Sequence, residues 1–315
     1  MKSYREQERK RAIDIRGYLF EDPGGGIFLG KEREFVLKDS NLNLWEGIRG
    51  DAIGYFKRNK IQWWMTNDYP PGHMLSSQIA CLNHLFCLHK DKTLSTAVLK
   101  LLDDDIVEAA MVDEGYVEFE FIGEKQFFKE KSFTRGANCT SIDAAMIGIN
   151  SKGQKKFFLI EWKYTEFYKP ESKYIPARAE VYDGLIKDRS SPFKEMGEFL
   201  IPNPNIDKNL GIQNFYFEPF YQLMRQTLLG WLFKENEDHK CTDYCNVHII
   251  PKENTQLLDN VTSPNLKNGS ITEAWESTLK DPKKYIPISP QDFLCPCLNK
   301  VNSESFLSYL KKRYW

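Results

Sequence analysis

The sequence predicts an α/β fold, with a central mixed sheet flanked by helices and with N- and C-terminal elaborations. Three observations carry this. Helical periodicity is clear in two segments, 74–89 and 219–235. Between them lie three runs of strand character, at 115–122, 142–149 and 156–164. A further strand-like run, "NVHIIP", follows the second helix. The order α-β-β-β-α-β is that of three meandering strands and a crossover to a fourth.

Each element has a local justification. Ahead of the first helix come a charged start, "MKSYREQERKRAID", the loop "EDPGGG" and an aromatic patch, "IQWWMTNDYPPGH". The glycines lack the G-x-x-x-x-G-K-(S/T) spacing of a phosphate loop, so a flexible turn is expected. In the first helix Leu75, Ile79, Leu82 and Phe86 recur at helical spacing, with Ser76 and Ser77 near its start. A second helix is expected over 94–111. "GYVEFEFI" alternates, with Tyr116, Glu118 and Glu120 on a face expected to be solvated. A turn at 151–154 joins the next two strands, and 169–214 should be mainly loop with a helical piece at 177–188. In the later helix Phe220, Leu223, Met224, Thr227, Leu228, Trp231 and Leu232 form one stripe, and Pro219 suits its first turn. A short helix is expected near 304–312. The chain then divides into an N-terminal extension packed on the core (1–72), a core (73–251) and a C-terminal extension (252–315).

Composition narrows the function classes. The formal net charge is −1, so a polyanion partner would have to meet local rather than global positive charge. Hydrophobic residues at 41% can fill a core, and aromatics at 14% suit packing or stacking on bases. No stretch approaches the ~18 apolar residues of a membrane span. The charged start has no apolar signal region, and a cytoplasmic protein without membrane partners is expected. The cysteines number seven, an odd count expected to be free thiols in a reducing compartment. His239, Cys241, Cys245 and His248 are ligand types for zinc, but their spacing matches no familiar finger, and ordinary packing is expected.

The chemistry is concentrated in "SIDAAMIGINSKGQKKFFLIEWKYTE". The chain holds five (D/E)-x-K triplets, so the pattern alone decides nothing. Only Glu161-Trp162-Lys163 ends a run that is apolar on both faces, the mark of a central strand. Glu161 and Lys163 then share one face, with Trp162 on the other. Asp143 lies on the preceding strand between the small residues Ser141 and Ala145. Two carboxylates can hold a hard divalent cation, which polarises a phosphate oxygen and acidifies a water. A lysine beside them can stabilise the attacking hydroxide and the charge of the transition state. This suits phosphodiester hydrolysis. The alternative is an ion pair of Asp143 or Glu161 with Lys163.

Ile142-Asp143 and Glu161-Trp162-Lys163, in this element order, resemble the PD-(D/E)xK nuclease superfamily and its restriction endonuclease-like fold. Ile142 stands where the motif has proline, which is not a ligand. More narrowly, "HMLSSQIACLNHLF", "SIDAAMIG", "IEWKYTE" and "FYQLMRQTLLGWLF" look like a family of bacterial restriction endonucleases, over roughly 63–251 and more faintly the tail. The resemblance implies Mg²⁺, replaceable by Mn²⁺, held by Asp143, Glu161 and the main-chain carbonyl of Trp162. Lys163 would act at the nucleophilic water. Many members add a residue from the first helix; Gln78 is the candidate, with Asn83 behind it. Glu118 or Glu120 could instead supply a carboxylate from the first strand. Gln222, Arg225 and Gln226 form a polar stripe on the later helix, where Gln222 and Arg225 are candidates to contact DNA. Lys155 and Lys156, with Lys152, Lys169 and Lys173, are expected to bracket the site. The implied protein is a Mg²⁺-dependent DNA endonuclease of restriction-enzyme type. Cutting two strands with one site per chain favours a homodimer, with a nicking monomer as the alternative, and a cognate methyltransferase is a candidate companion. The alternatives are a non-catalytic nucleic-acid-binding protein on the same fold and a repair or RNA-acting nuclease.

Overall fold

A computed structural model of the chain describes residues 2–136, 139–200, 208–266, 269–297 and 304–315. Helix α1 (Tyr4–Leu19) starts in a capping box, in which the Ser3 hydroxyl accepts from the Glu6 N–H and Glu6 accepts from the Ser3 N–H. A small hairpin, β1 (Gly26–Phe28) and β2 (Lys31–Arg33), and helix α2 (Glu46–Arg58) complete the N-terminal part. Helix α3 (Ser77–Leu85) is capped by the Ser76 side chain and gives way to a 3-10 turn at Phe86–Leu88. Helix α4 (Lys92–Leu102) is shorter than the sequence suggested. It ends at Asp103, whose backbone is extended, and the β-branched pair Ile106-Val107 opens strand β3 (Ile106–Ala110). The expected single strand at 115–122 is thus the second half of a split one: β3, an interruption, then β4 (Glu118–Phe121).

Strands β5 (Ile142–Asn150) and β6 (Lys155–Trp162) form the expected hairpin. Helices α5 (Pro176–Lys187), α6 (Met196–Phe199) and α7 (Phe220–Glu235) lead to strand β7 (Cys241–Ile249). Helices α8 (Thr255–Leu258) and α9 (Ile271–Thr278), strand β8 (Tyr285–Ile288), and helices α10 (Pro290–Leu294) and α11 (Glu304–Arg313) complete the described chain. The sheet has six strands in the order β3-β5-β6-β7-β8, with β4 also on β5. Both β3 and β4 pair antiparallel with β5, at its Ile147–Asn150 and Ile142–Ala145 ends respectively. The β5–β6 pair is antiparallel, and β6–β7 and β7–β8 are parallel. The sheet therefore extends past Pro251, because β8 supplies its last strand.

Each face of the sheet has its own core, as the period of two requires. Ala144, Met146, Phe158, Ile160 and Trp162 pack under α1–α4 and the C-terminal helices. Ala145, Ile147, Phe157 and Leu159 pack under α5, α7 and α9. Helix α7 sits close on the sheet at Gly230, where an added Cβ would lie 2.5 Å from the Tyr244 ring and 2.8 Å from Leu159. No helix among the described residues is long and apolar enough to cross a membrane.

Cys81, Cys87, Cys139, Cys241, Cys245 and Cys295 are free thiols. Cys241 belongs to the α7-side core and Cys245 to the α3-side core, because a register shift beside Lys155 and Lys156 turns β7 over between them. His248 Nδ1 meets the Tyr285 hydroxyl at 2.8 Å. His239 lies in the α7–β7 turn, with Nε2 3.0 Å from Asp113 and Nδ1 against Asp238. Burial opposes its charge, but these two carboxylates outweigh burial and lift its pKa to about 9. Glu124 also faces it, and the Phe121 and Phe157 rings pack edge-on. A folded-state pKa above the ordinary 6.5 stabilises the fold below pH ~6.5 and ceases to do so as pH rises through ~9. The urea midpoint is expected to fall across that window, and His239→Gln to flatten the fall. An unchanged slope in the variant would remove His239 as the cause.

Candidate active site

The site lies at the end of the sheet where the β5–β6 ladder runs out. That ladder begins at the Ala144–Ile160 pair. One step beyond, the Trp162 N–H donates to Asp143 Oδ2 at 2.8 Å, so a side chain takes the place of a ladder carbonyl. The Trp162 ring turns into the α3-side core, 4.6 Å from the His84 ring. Glu161 and Lys163 project to the opposite, α7 side, and each is only 3% exposed. The Lys163 ammonium lies 2.5 Å from Glu161 Oε1 and 2.5 Å from Gln222 Oε1. Gln226 donates to the other Glu161 oxygen. Burial works against the charge on Lys163, but Glu161 beside it, then Tyr168, Glu166 and Asp143, raise its pKa well above the ordinary value. The lysine is therefore a cation at neutral pH, despite its burial.

Glu120 reaches the same end of the sheet through a local break in β4. Its φ is 48°, in the left-handed region that non-glycine residues seldom enter. The break turns the strand over, so Phe119 joins the α3-side core and Phe121 the α7-side core. Gln78 of α3 donates to Glu120 Oε1 at 2.8 Å, and Ser141 donates to Oε2 at 2.9 Å. The expected solvated face of this strand is not found, since Glu118 is 0% and Glu120 9% exposed. Glu118 is paired instead: it accepts from the Tyr55 hydroxyl, from Arg135 and from the Glu114 and Gly115 N–H groups. Burial, then the nearby charges of Glu161 and Glu120, raises the Asp143 pKa well above the ordinary range. Burial likewise raises Glu120; its bonds to Gln78 and Ser141 oppose that, and the charge of Glu161 adds to it.

Gln78, Glu120 and Asp143 line a cleft of about 300 Å³ that Arg5, Trp64 and His73 close from the N-terminal side. Asn83 is placed elsewhere. It accepts from the Trp45 N–H and donates to the Asn43 carbonyl and the Tyr314 hydroxyl, tying α3 to its covering segments. Gln222 is in the site through Lys163. Arg225 lines a separate groove of about 960 Å³, where its guanidinium packs 4.7 Å from the Tyr221 ring centroid and donates to Thr140. Lys155 and Lys156 do not bracket the carboxylates. They open β6, six and five residues before Glu161, which is roughly 17–20 Å along a strand. There Lys156 pairs with Asp103 at 2.7 Å and Lys155 donates to the His239 carbonyl.

Glu120, Asp143 and Glu161 lie near enough for their charges to disfavour one another's ionisation, a repulsion that a cation or protons would relieve. The donor set of Glu120, Asp143 and Glu161 fits a hard divalent ion. Among the described residues, the group whose ligand atoms lie within 4.8 Å of one another is a different one, Glu124, Asp238 and His239, and both nitrogens of that histidine already meet carboxylates.

The six-stranded mixed sheet, flanked by helices on both faces and carrying an Asp and a Glu-x-Lys on neighbouring strands, is consistent with a restriction endonuclease-like core. The chain belongs to the family described as restriction endonuclease associating with ARP, whose profile matches residues 21–315. No curated protein and no solved structure matches it.

Proposed function

We propose that the protein is a divalent-metal-dependent endonuclease that hydrolyses DNA phosphodiester bonds, with Mg²⁺ as the natural ion and Mn²⁺ as a substitute. One observation carries this: Asp143 and Glu161 on adjacent strands, with Lys163 bonded to Glu161, at the end of the sheet that opens on a cleft. Asp143 and Glu161, with the Trp162 carbonyl and Glu120, would hold the ion. Bound there, it supplies Lewis acidity to a phosphate oxygen and a more acidic water. Lys163 places its positive charge where the attacking oxygen and the pentacoordinate phosphate gather negative charge. Gln222 and Gln226 fix Lys163 and Glu161 in place. Gln78 holds Glu120 toward the cleft, and Arg5 adds a positive charge at the cleft. The family's description also names association with ARP, and we take such a partner as part of this function. The test is incubation of the purified protein with supercoiled and linear DNA in Mg²⁺, Mn²⁺ and EDTA. Nicking or linearisation is expected with either metal and not with chelator. Intact DNA in both metals, with the protein folded, would refute the proposal.

A further inference from the structure

We infer that the cleft admits an unpaired nucleotide, and that the protein acts on single-stranded or locally opened DNA in preference to an intact duplex. The inference rests on the nuclease reading above and concerns the form of its substrate. The first observation is enclosure. Glu120 is 9% exposed, so a phosphate must enter the protein to meet it. Glu120 and Asp143 are reached through the cleft of about 300 Å³, which Arg5, Trp64 and His73 also wall. That is the lower end of the ~300–1,000 Å³ range of small-ligand pockets, room for one nucleotide and not for two paired strands.

The second observation is the aromatic pair in "IQWWMTND". Trp63 is the anchor, 3% exposed and stacked on Phe56 with centroids 3.8 Å apart and planes at 18°. Trp64 is presented at the mouth of the cleft, 41% exposed. The turn that presents it is fixed by two backbone bonds of 3.0 Å between Trp63 and Asn67. Met65 and Asn67 carry the positive φ values that so tight a turn requires. The Trp64 N–H donates to Gln78 Oε1 at 2.9 Å, so the same amide that holds Glu120 also positions the aromatic turn. The ring packs against Phe28 at 35° and against His73 nearly at right angles, and remains 41% exposed between these neighbours. An exposed, braced indole beside a narrow polar cleft is a stacking platform, and a base can use it only when it has left its own stack. Arg5 at the cleft supplies a cation for the phosphate that follows.

The test uses one sequence in three forms: single strand, full duplex, and duplex with an internal unpaired loop. Cleavage is measured in Mg²⁺. Affinity is measured in Ca²⁺ for wild type, Trp64→Ala and Trp64→Phe. The single strand and the looped duplex should be cut and bound at least about tenfold better than the full duplex. Trp64→Ala should weaken single-strand binding about tenfold, the scale of one lost base–aromatic stack, and Trp64→Phe should recover most of it. A full duplex handled as well as the single strand, or unchanged binding by Trp64→Ala, overturns the inference and leaves the nuclease reading standing. Trp64-dependent binding of single strands without cleavage of any form supports the unpaired-nucleotide cleft alone and overturns the nuclease reading, and with it the claim of action on single strands.

Discussion

Asp143→Asn and Glu161→Gln should abolish metal-dependent DNA cleavage, and Lys163→Ala should lower it by roughly 10²–10³-fold, the scale of losing one transition-state charge contact. The three should differ in what they keep. The two amide variants are near-isosteric but lose anionic oxygen, so they should also lose saturable Mg²⁺ binding, read by calorimetry. Lys163→Ala should keep ion binding and DNA binding and lose turnover. Stability separates function from structure. Asp143 is pushed toward its neutral form by burial and by two neighbouring carboxylates, so Asp143→Asn should make the metal-free protein more stable while silencing it. Lys163→Ala leaves Glu161 buried without its counter-charge and should destabilise, an effect that added Mg²⁺ should reverse. Cleavage by Asp143→Asn and Glu161→Gln at the wild-type rate would place the active site elsewhere. Destabilisation by all three, with no effect of Mg²⁺ on any, would leave only a structural ion-pair network.

Arg135→Met should cost about 3–5 kcal/mol of folding free energy, the usual result of removing one partner from a buried ion pair. Its partner Glu118 is 0% exposed, and the guanidinium also donates to the Tyr55 hydroxyl and to the Phe119 and Glu120 carbonyls. The variant strands a carboxylate and two carbonyls in the layer beneath the cleft. Glu118→Gln should be milder, since an amide oxygen can still accept from Tyr55 and from the backbone. Urea unfolding at pH 7 measures both. A cost below about 1 kcal/mol for Arg135→Met would mean that water reaches Glu118 and that the network contributes little.

What the sequence disclosed follows the strength of its periodic signals. The stripe from Phe220 to Leu232 and the apolar run from Phe157 to Ile160 were legible, because each has one dominant period and a core to satisfy. The shared face of Glu161 and Lys163 was legible for the same reason. Strand β3 was not, since "IVEAA" is short and directly follows a helical pattern that nothing in the sequence visibly closes. Glu118 and Glu120 were misplaced by alternation itself. Charged residues at every second position read as a wet face, while Arg135, Tyr55 and Gln78, which make burial tolerable, come from other segments. The left-handed backbone at Glu120, which aims it at the cleft, has no local signature at all. Lys155 and Lys156 are near the motif in sequence, but a strand spends five or six residues as distance, and they finish at the other end of the sheet.

The two margins of the sheet bear on assembly. One margin is β8, four residues long, exposed at Pro287, which has no N–H to offer a neighbouring chain. The other is the split margin of β3 and β4, short pieces interrupted between Ala110 and Glu118 and bent at Glu120. Neither presents a long, flat row of unpaired donors and acceptors, the condition for edge-to-edge growth into a larger sheet or a fibril. Both margins therefore disfavour assembly by strand addition, for a second copy of the chain or for a partner protein.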